Sequence, residues 1–280
     1  MTLRDAVRLL EEAGADDAKN DALTLYAHVS GRSRASLMFS MNDDISAEPC
    51  FDEFTALLKR RAAREPLQYI IGKWSFFGDE YFVSPACLIP RPDTETVVEV
   101  LLSRLKKGAM IADLCCGSGC IGIAAVRNSD AVCFSVDVSE DALEIAKKNA
   151  ASLGVGERIR FARCDVLDAQ SVNDVFSGKK FDLITSNPPY IKPSDASSLA
   201  PELSYEPEIA LFGGEDGMLF YRSITENFLP YLASGGAFIY EIGYDEADDI
   251  KTIADAASLS CSVVNDIEGR PRAATLTKQQ

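Results

Sequence analysis

The stretch Phe181-Asp182-Leu183-Ile184-Thr185-Ser186-Asn187-Pro188-Pro189-Tyr190 reads as a buried strand that runs straight into a stiff polar loop. Two prolines fix φ and remove two N–H donors, which leaves the carbonyls there free to face a ligand. Asn187 brings one amide acceptor and two donors. Tyr190 brings a flat face and a hydroxyl. Such a loop suits gripping a planar group that carries an NH2.

The chain on either side of this stretch alternates strands and helices. The strand candidates are Met110–Leu114, Ala131–Val136, Arg158–Arg163, Phe181–Ser186, Gly236–Ile242, Cys261–Asp266 and Ala273–Thr277. Helices lie between most of them. The clearest runs from an N-cap at Ser139 to Leu153, with Ala142, Leu143, Ala146 and Ala150 on one face and Gly154 as its stop. Glu144 is placed to pair with Lys148. Repeated β-α-β units imply a parallel sheet covered by helices on both faces. The last two strands are joined by a short Gly-Arg-Pro-Arg turn with no room for a helix, so they should run antiparallel.

In such sheets ligands sit beyond the carboxyl ends of the strands. Asp113 ends the first strand, and Cys115-Cys116-Gly117-Ser118-Gly119 follows as a Gly-rich turn whose backbone can approach a ligand closely. No Gly-Lys-Ser/Thr follows, so this is not a P-loop. Gly117-x-Gly119-x-x-Gly122 formally matches a dinucleotide fingerprint, and that reading stays open at this point. Asp137 ends the second strand, where a carboxylate can accept hydrogen bonds from both ribose hydroxyls. Asp165 follows the third, placed to meet an adenine amino group.

The N-terminal part is helical. Thr2 is expected to cap the first helix with Asp5 at N3, and Gly14 to stop it. Further helices are expected over about Asp17–Val29, Ser33–Phe39 and Glu48–Arg64, the last ending before Pro66. The cationic run Lys59-Arg60-Arg61 and Arg64 reads as a solvated face. Aromatics around Gly78-Asp79 suggest a β-hairpin linker. Beyond it, Ile89-Pro90-Arg91-Pro92-Asp93-Thr94-Glu95 forms an ordered loop in which Thr94 or Asp93 can cap a helix running to about Leu105. The expected division is 1–70 helical, 71–88 hairpin linker and 89–280 α/β.

The 280 residues carry a net charge of −15. An acidic surface repels phosphate backbones, so nucleic acid is not the expected partner. The eight cysteines form no CxxC pair, and several sit in apolar runs as small hydrophobes. With one histidine, His28, neither a Ser-His-Asp triad nor a multi-histidine metal site is expected. No N-terminal signal pattern and no bilayer-length apolar stretch is present, so the expected compartment is a reducing cytoplasm.

With Asp113–Gly119, Asp137, Asp165 and Asn187–Tyr190 in place, the chain resembles the class I S-adenosylmethionine-dependent methyltransferases. More closely it resembles the HemK/PrmC family, which methylates the glutamine of the Gly-Gly-Gln motif in class I peptide chain release factors. The likeness extends to Arg64–Gly72, to Ile89–Glu95, to Gly213-Gly214-Glu215-Asp216-Gly217 and to Glu241-Ile242-Gly243. It implies a seven-stranded Rossmann-like sheet with an antiparallel last strand, behind a small helical bundle that recognises the substrate. It implies S-adenosylmethionine as cofactor, held by Cys115, Cys116, Gly117, Ser118, Gly119, Asp137, Asp165, Val166 and Asn187, and no metal. Asn187, Pro188, Pro189 and Tyr190 would hold the substrate glutamine, with Asn187, Pro188 and Tyr190 acting in catalysis. The partner would be a release factor and the enzyme a monomer. The chain departs from the family pattern at Cys115-Cys116, where a Gly and a small hydroxyl residue are more usual, and at Val166, where an aromatic is frequent. A glutamine of a ribosomal protein is an alternative substrate. A DNA adenine methyltransferase, or a module that binds cofactor without chemistry, fits the acidic charge and the intact loop less well.

Overall fold

The structure is a computed structural model that describes residues 1–278. It divides into two compact units, Met1–Lys73 together with Ala200–Tyr205, and Trp74–Leu199 together with the chain from Glu206 onward.

The first unit is helical, with α1 (Leu3–Glu12), α2 (Ala18–Ser30), α3 (Arg34–Leu37), α4 (Phe51–Ala62) and α5 (Leu67–Ile71). Thr2 caps α1 as its sequence asks: its hydroxyl accepts the Asp5 N–H at 3.2 Å, and the Asp5 carboxylate accepts the Thr2 N–H at 2.8 Å. Gly31 ends α2 in the left-handed region, at φ 69°. Tyr26 of α2 meets Phe54 of α4 edge to face, with ring centres 5.0 Å apart. The short α5, directly after Pro66, had no counterpart among the expected helices.

The cationic run at the end of α4 is only partly a solvated face. Lys59 and Arg60 are exposed, but Arg61 is buried. Its Nε donates to Asp21 at 2.6 Å, and its two terminal nitrogens donate to Glu202 at 3.0 Å. Arg64 forks onto the same Glu202 carboxylate with two bonds of 2.7 Å. A buried guanidinium needs such partners. They lie 40 and 141 residues away in the chain, out of reach of local pattern reading.

The second unit opens on a hairpin, β1 (Lys73–Phe76, its first residue counted with the helical unit) and β2 (Asp79–Phe82). Phe77 and Gly78 both take positive φ, the geometry of a type I′ turn. The hairpin is bonded to the body of this unit: Asn149 holds both the N–H and the carbonyl of Phe82, at 2.7 and 3.1 Å. The chain then runs through α6 (Glu95–Arg104), β3 (Met110–Leu114), α7 (Cys120–Arg127), β4 (Val132–Asp137), α8 (Glu140–Ser152), β5 (Ile159–Arg163), α9 (Ala169–Phe176), β6 (Phe181–Ser186), α10 (Leu219–Phe228), β7 (Leu232–Glu241), α11 (Ala247–Ala256), β8 (Leu259–Asn265) and β9 (Pro271–Lys278).

Seven strands form one sheet in the order β5-β4-β3-β6-β7-β9-β8. All run parallel except β9, which is antiparallel to both neighbours. Side chains alternate between two cores, as the strand period requires. Ile111, Leu183 and Ile239 join Val97, Leu101 and Ile123 on one face. Ala112, Ile184 and Phe238 join Phe176, Ile224 and Phe228 on the other. Each such apolar side chain contributes about 1.5–3 kcal/mol by leaving water.

Two local expectations fail. Glu144 pairs with Lys147 at 2.7 Å, while the Lys148 ammonium stands 3.6 Å above the Phe82 ring. Thr94 sits at the start of α6 but makes no capping bond there.

Candidate active site

The strand order reverses between β3 and β6, the place where open α/β sheets bind ligands. A cavity opens there, beyond the carboxyl ends of the central strands. Its floor is the turn after β3, its sides the loops after β4, β5 and β6, and its rim the segments at Ala86–Arg91 and Pro207–Ala210.

The turn after β3 is tight. Cys115 takes φ 54°, a left-handed conformation unusual for a side chain that is not glycine, and Gly117 and Gly119 follow at φ 53° and 78°. The Gly117 N–H donates to Asp137 Oδ2 at 2.9 Å, and the Ser139 N–H donates to Oδ1 at 2.9 Å. Asp137 thus ties the end of β4 to the turn. Burial raises its carboxyl and these N–H bonds pull it back, burial prevailing. No atom stands within 4 Å of where a Gly117 side chain would begin, so the backbone there is open to a ligand. A Cβ on Gly119, by contrast, would stand 3.0 Å from Ile123 and 3.1 Å from Ala146.

Cys115, Cys116, Gly117, Ser118, Asp137, Asp165, Val166, Asn187 and Pro189 all line the cavity. Gly119 stands just behind it as the N-cap of α7. Pro188 and Tyr190 are not in the cavity wall. Pro188 is buried, and Tyr190 packs on the core beside β7. Asp113 also stands outside. It is 1% exposed, accepts the Gly122 N–H at 3.1 Å, and leaves its other oxygen unpartnered. The end of β3 therefore offers a ligand its turn and not its carboxylate. Burial holds the thiols of Cys115, Cys116 and Cys120 high, in the neutral form.

The loop Gly213–Gly217 is a close-fitting brace. A Cβ on Gly213 would stand 2.6 Å from the Pro189 oxygen and from Tyr190 Cα. The Gly213 N–H donates to the Ile191 carbonyl at 3.0 Å, which closes the neck of the excursion 192–211.

Several residues were missed. Asn149, fully buried, donates to the Ser118 carbonyl at 2.9 Å while gripping Phe82, so it supports the glycine turn from behind. Its signal was available, as one amide on the apolar stripe of α8. Glu206 accepts the Ile89 N–H at 3.0 Å and pairs with Arg91, which fixes the rim. Thr94 lines the cavity and accepts from Asn187 Nδ2 at 3.4 Å. Among the described residues no cluster of metal-ligating side chains occurs, and no helix is long and apolar enough to cross a membrane.

Comparison with known proteins agrees with this architecture. Residues 2–72 match the PrmC N-terminal domain, and residues 91–214 match the methyltransferase small domain. Among solved structures, a methyltransferase from Pyrococcus furiosus superposes with TM-score 0.54 at 17% identity, covering 81% of this chain and 98% of its own. A ribosomal protein L11 methylase from Lactobacillus delbrueckii gives 0.50 at 19%, covering 71% and 84%. Both likenesses are of fold. The release factor glutamine methyltransferase of Thermodesulfovibrio yellowstonii is 39% identical over 250 residues, 87% of each chain. That of Bacillus anthracis is 34% identical over 279 residues, 96% of this chain and 95% of its own. At this identity, sustained through both the helical unit and the sheet, the chain belongs to the release factor glutamine methyltransferase family.

Proposed function

We propose that the protein transfers a methyl group from S-adenosylmethionine to the side-chain amide nitrogen of the glutamine in the Gly-Gly-Gln motif of class I peptide chain release factors, acting as a monomer in the cytoplasm. The observation that carries this reading is the position of Asn187. Its carboxamide stands in the cavity wall at the end of β6, followed by two residues that have no N–H to compete for a substrate carbonyl.

The cavity suits the cofactor. The open backbone at Gly117 allows close approach. Each Asp137 oxygen carries a single backbone bond, which leaves lone pairs for ribose hydroxyls. Leu88, Val138, Val166 and Phe220 offer apolar surface for a planar base, with Asp165 beside them for its amino group. When bound, S-adenosylmethionine supplies an electrophilic methyl group on a sulfonium.

An amide nitrogen is a weak nucleophile because its lone pair is delocalised. The chain's task is to hold it in line and to favour the charge that builds on it. Asn187 Oδ1 accepts from the amide, and that bond strengthens as nitrogen turns positive. Pro188 and Tyr190, outside the cavity wall, would hold Asn187 from behind. An N-protonated amide is strongly acidic, so water removes the proton and no histidine is needed.

The test is methyl transfer from labelled cofactor to purified release factor, to its variant with alanine for the motif glutamine, to ribosomal proteins and to duplex DNA. Label on the intact release factor alone supports the reading. Label confined to DNA or a ribosomal protein overturns it. Asn187→Ala should lower turnover roughly 10²–10³-fold, the scale for losing one such polar partner.

A further inference from the structure

We infer that Thr94 and Glu241 fix which end of the Asn187 carboxamide faces the cavity, and so act as positioning residues for methyl transfer. The inference rests on the role proposed above for Asn187.

A carboxamide is nearly symmetric in shape but not in chemistry. If its Nδ2 pointed into the cavity it would present N–H groups to the amide hydrogens of a substrate, and the two would repel. A residue asked to accept from the substrate must therefore be held by its other end. Neighbours on its own loop do not do this, since Pro188 and Pro189 carry no donor.

The register of the sheet brings in a distant partner. Ser186 of β6 pairs with Tyr240 of β7, so the next residues, Asn187 just past β6 and Glu241 at the end of β7, stand side by side. Thr94 enters from the start of α6. It is 1% exposed and Glu241 2%, so neither is satisfied by solvent. The Thr94 side chain is not spent on its own helix. Its hydroxyl oxygen faces Asn187 Nδ2 at 3.4 Å, and Thr94 stands close enough to Glu241 to draw that buried carboxyl down.

The donor count then settles the orientation. An ionised carboxylate only accepts, so Thr94 gives its single proton to Glu241. What remains on the hydroxyl oxygen is lone pairs. Only the Nδ2 end of Asn187 can meet them, which turns Oδ1 toward the cavity. One Glu241 oxygen has no hydrogen-bond partner, and the carboxylate feels the charges of Arg272, Asp93 and Arg91. Burial raises the Glu241 carboxyl to about 7 while Thr94 and the two arginines pull it down. Above that value the relay is in its accepting form.

The experiment is steady-state methyl transfer to intact release factor at pH 8, with cofactor affinity and Tm measured on the same proteins. Thr94→Val keeps the shape and removes the hydroxyl. It is expected to lower kcat about tenfold, the scale of one hydrogen bond at a reacting group, with the KM for cofactor little changed. Thr94→Ser restores the hydroxyl and should recover most of that loss. Glu241→Met removes the acceptor altogether, frees the threonine proton for Asn187 Oδ1, and should lower kcat similarly. In an Asn187→Ala background there is no amide left to orient, so Thr94→Val should add less than about twofold. Full kcat in Thr94→Val, no recovery in Thr94→Ser, or an undiminished penalty in the double variant overturns the inference. Near-normal turnover in Asn187→Ala alone would instead overturn the reading on which it rests.

Discussion

Cys115 is held at φ 54° at the tightest point of the turn beneath the cavity. A side chain there costs about 1–3 kcal/mol, and a β-branched one costs most. The thiol is tolerated because it packs against the core on the α9–α11 face of the sheet. Cys115→Gly should therefore keep cofactor affinity within about threefold, whereas Cys115→Val should lose roughly tenfold, as titration calorimetry would read. A second test at this scale concerns Gly213. Its missing Cβ is what lets the brace touch the Pro189–Tyr190 backbone, since the atoms in the way are backbone and cannot rotate aside. Gly213→Ala should lower kcat at least about tenfold by moving the Asn187–Tyr190 loop at the cavity. Gly156→Ala, where the nearest atoms stand 3.9 Å away, is the matching control and should be silent. Equal rates in the two variants would show that the loop is not braced by Gly213.

Glu206 joins two elements at the rim. Its carboxylate holds the Ile89 N–H and the Arg91 guanidinium, while Pro207 and Ala210, directly after it, stand in the cavity wall. Glu206→Ala leaves a buried N–H without an acceptor and should destabilise the fold by about 2 kcal/mol in urea titrations. Glu206→Gln keeps an acceptor for Ile89 and should fall between the two; a Gln variant as weak as Ala would assign the effect to the Arg91 ion pair alone. Elements of this unit were legible in the sequence where the signal is local. The bounds of β6 read correctly because its apolar run is stopped by Asn-Pro-Pro, and Ser139 and Gly154 mark both ends of α8. That the turn after β3, Asp137 and Asn187 would meet at one cavity was legible because strand ends in this sheet type converge. What stayed hidden depends on partners far along the chain. Thr94 looks like a cap, and only the fold brings its hydroxyl to Asn187. Glu206 lies in an excursion with no periodicity, and Asp113 reads as a ligand group until its burial is seen.

Across the whole molecule, three buried carboxyls should set how stability depends on pH. Burial lifts Asp113, Glu241 and Glu246 each to about 7, against values near 4 in an unfolded chain. Between those limits the folded protein binds more protons than the unfolded one, so stability falls as pH rises. The contribution is complete below the unfolded values and is lost as pH passes the folded ones. Carboxyls held low, such as Asp44 and Asp216 at about 2, act with the opposite sign but only at more acid pH. The Tm of cofactor-free protein should therefore be lower at pH 8 than at pH 5.5, by on the order of 5 °C for a chain of this size. The net charge of −15 pushes the same way through self-repulsion, and salt separates the two causes. At 1 M salt the surface term is screened within about 3 Å, while buried groups keep their shifts. A pH difference that survives high salt and shrinks in Asp113→Asn belongs to the buried carboxyls. One that vanishes in salt belongs to the acidic surface, and a Tm equal or higher at pH 8 would mean that these groups are ionised in the folded protein. That last result would also bear on the active site, because an ionised Glu241 at neutral pH would keep Thr94 committed to it throughout the working range.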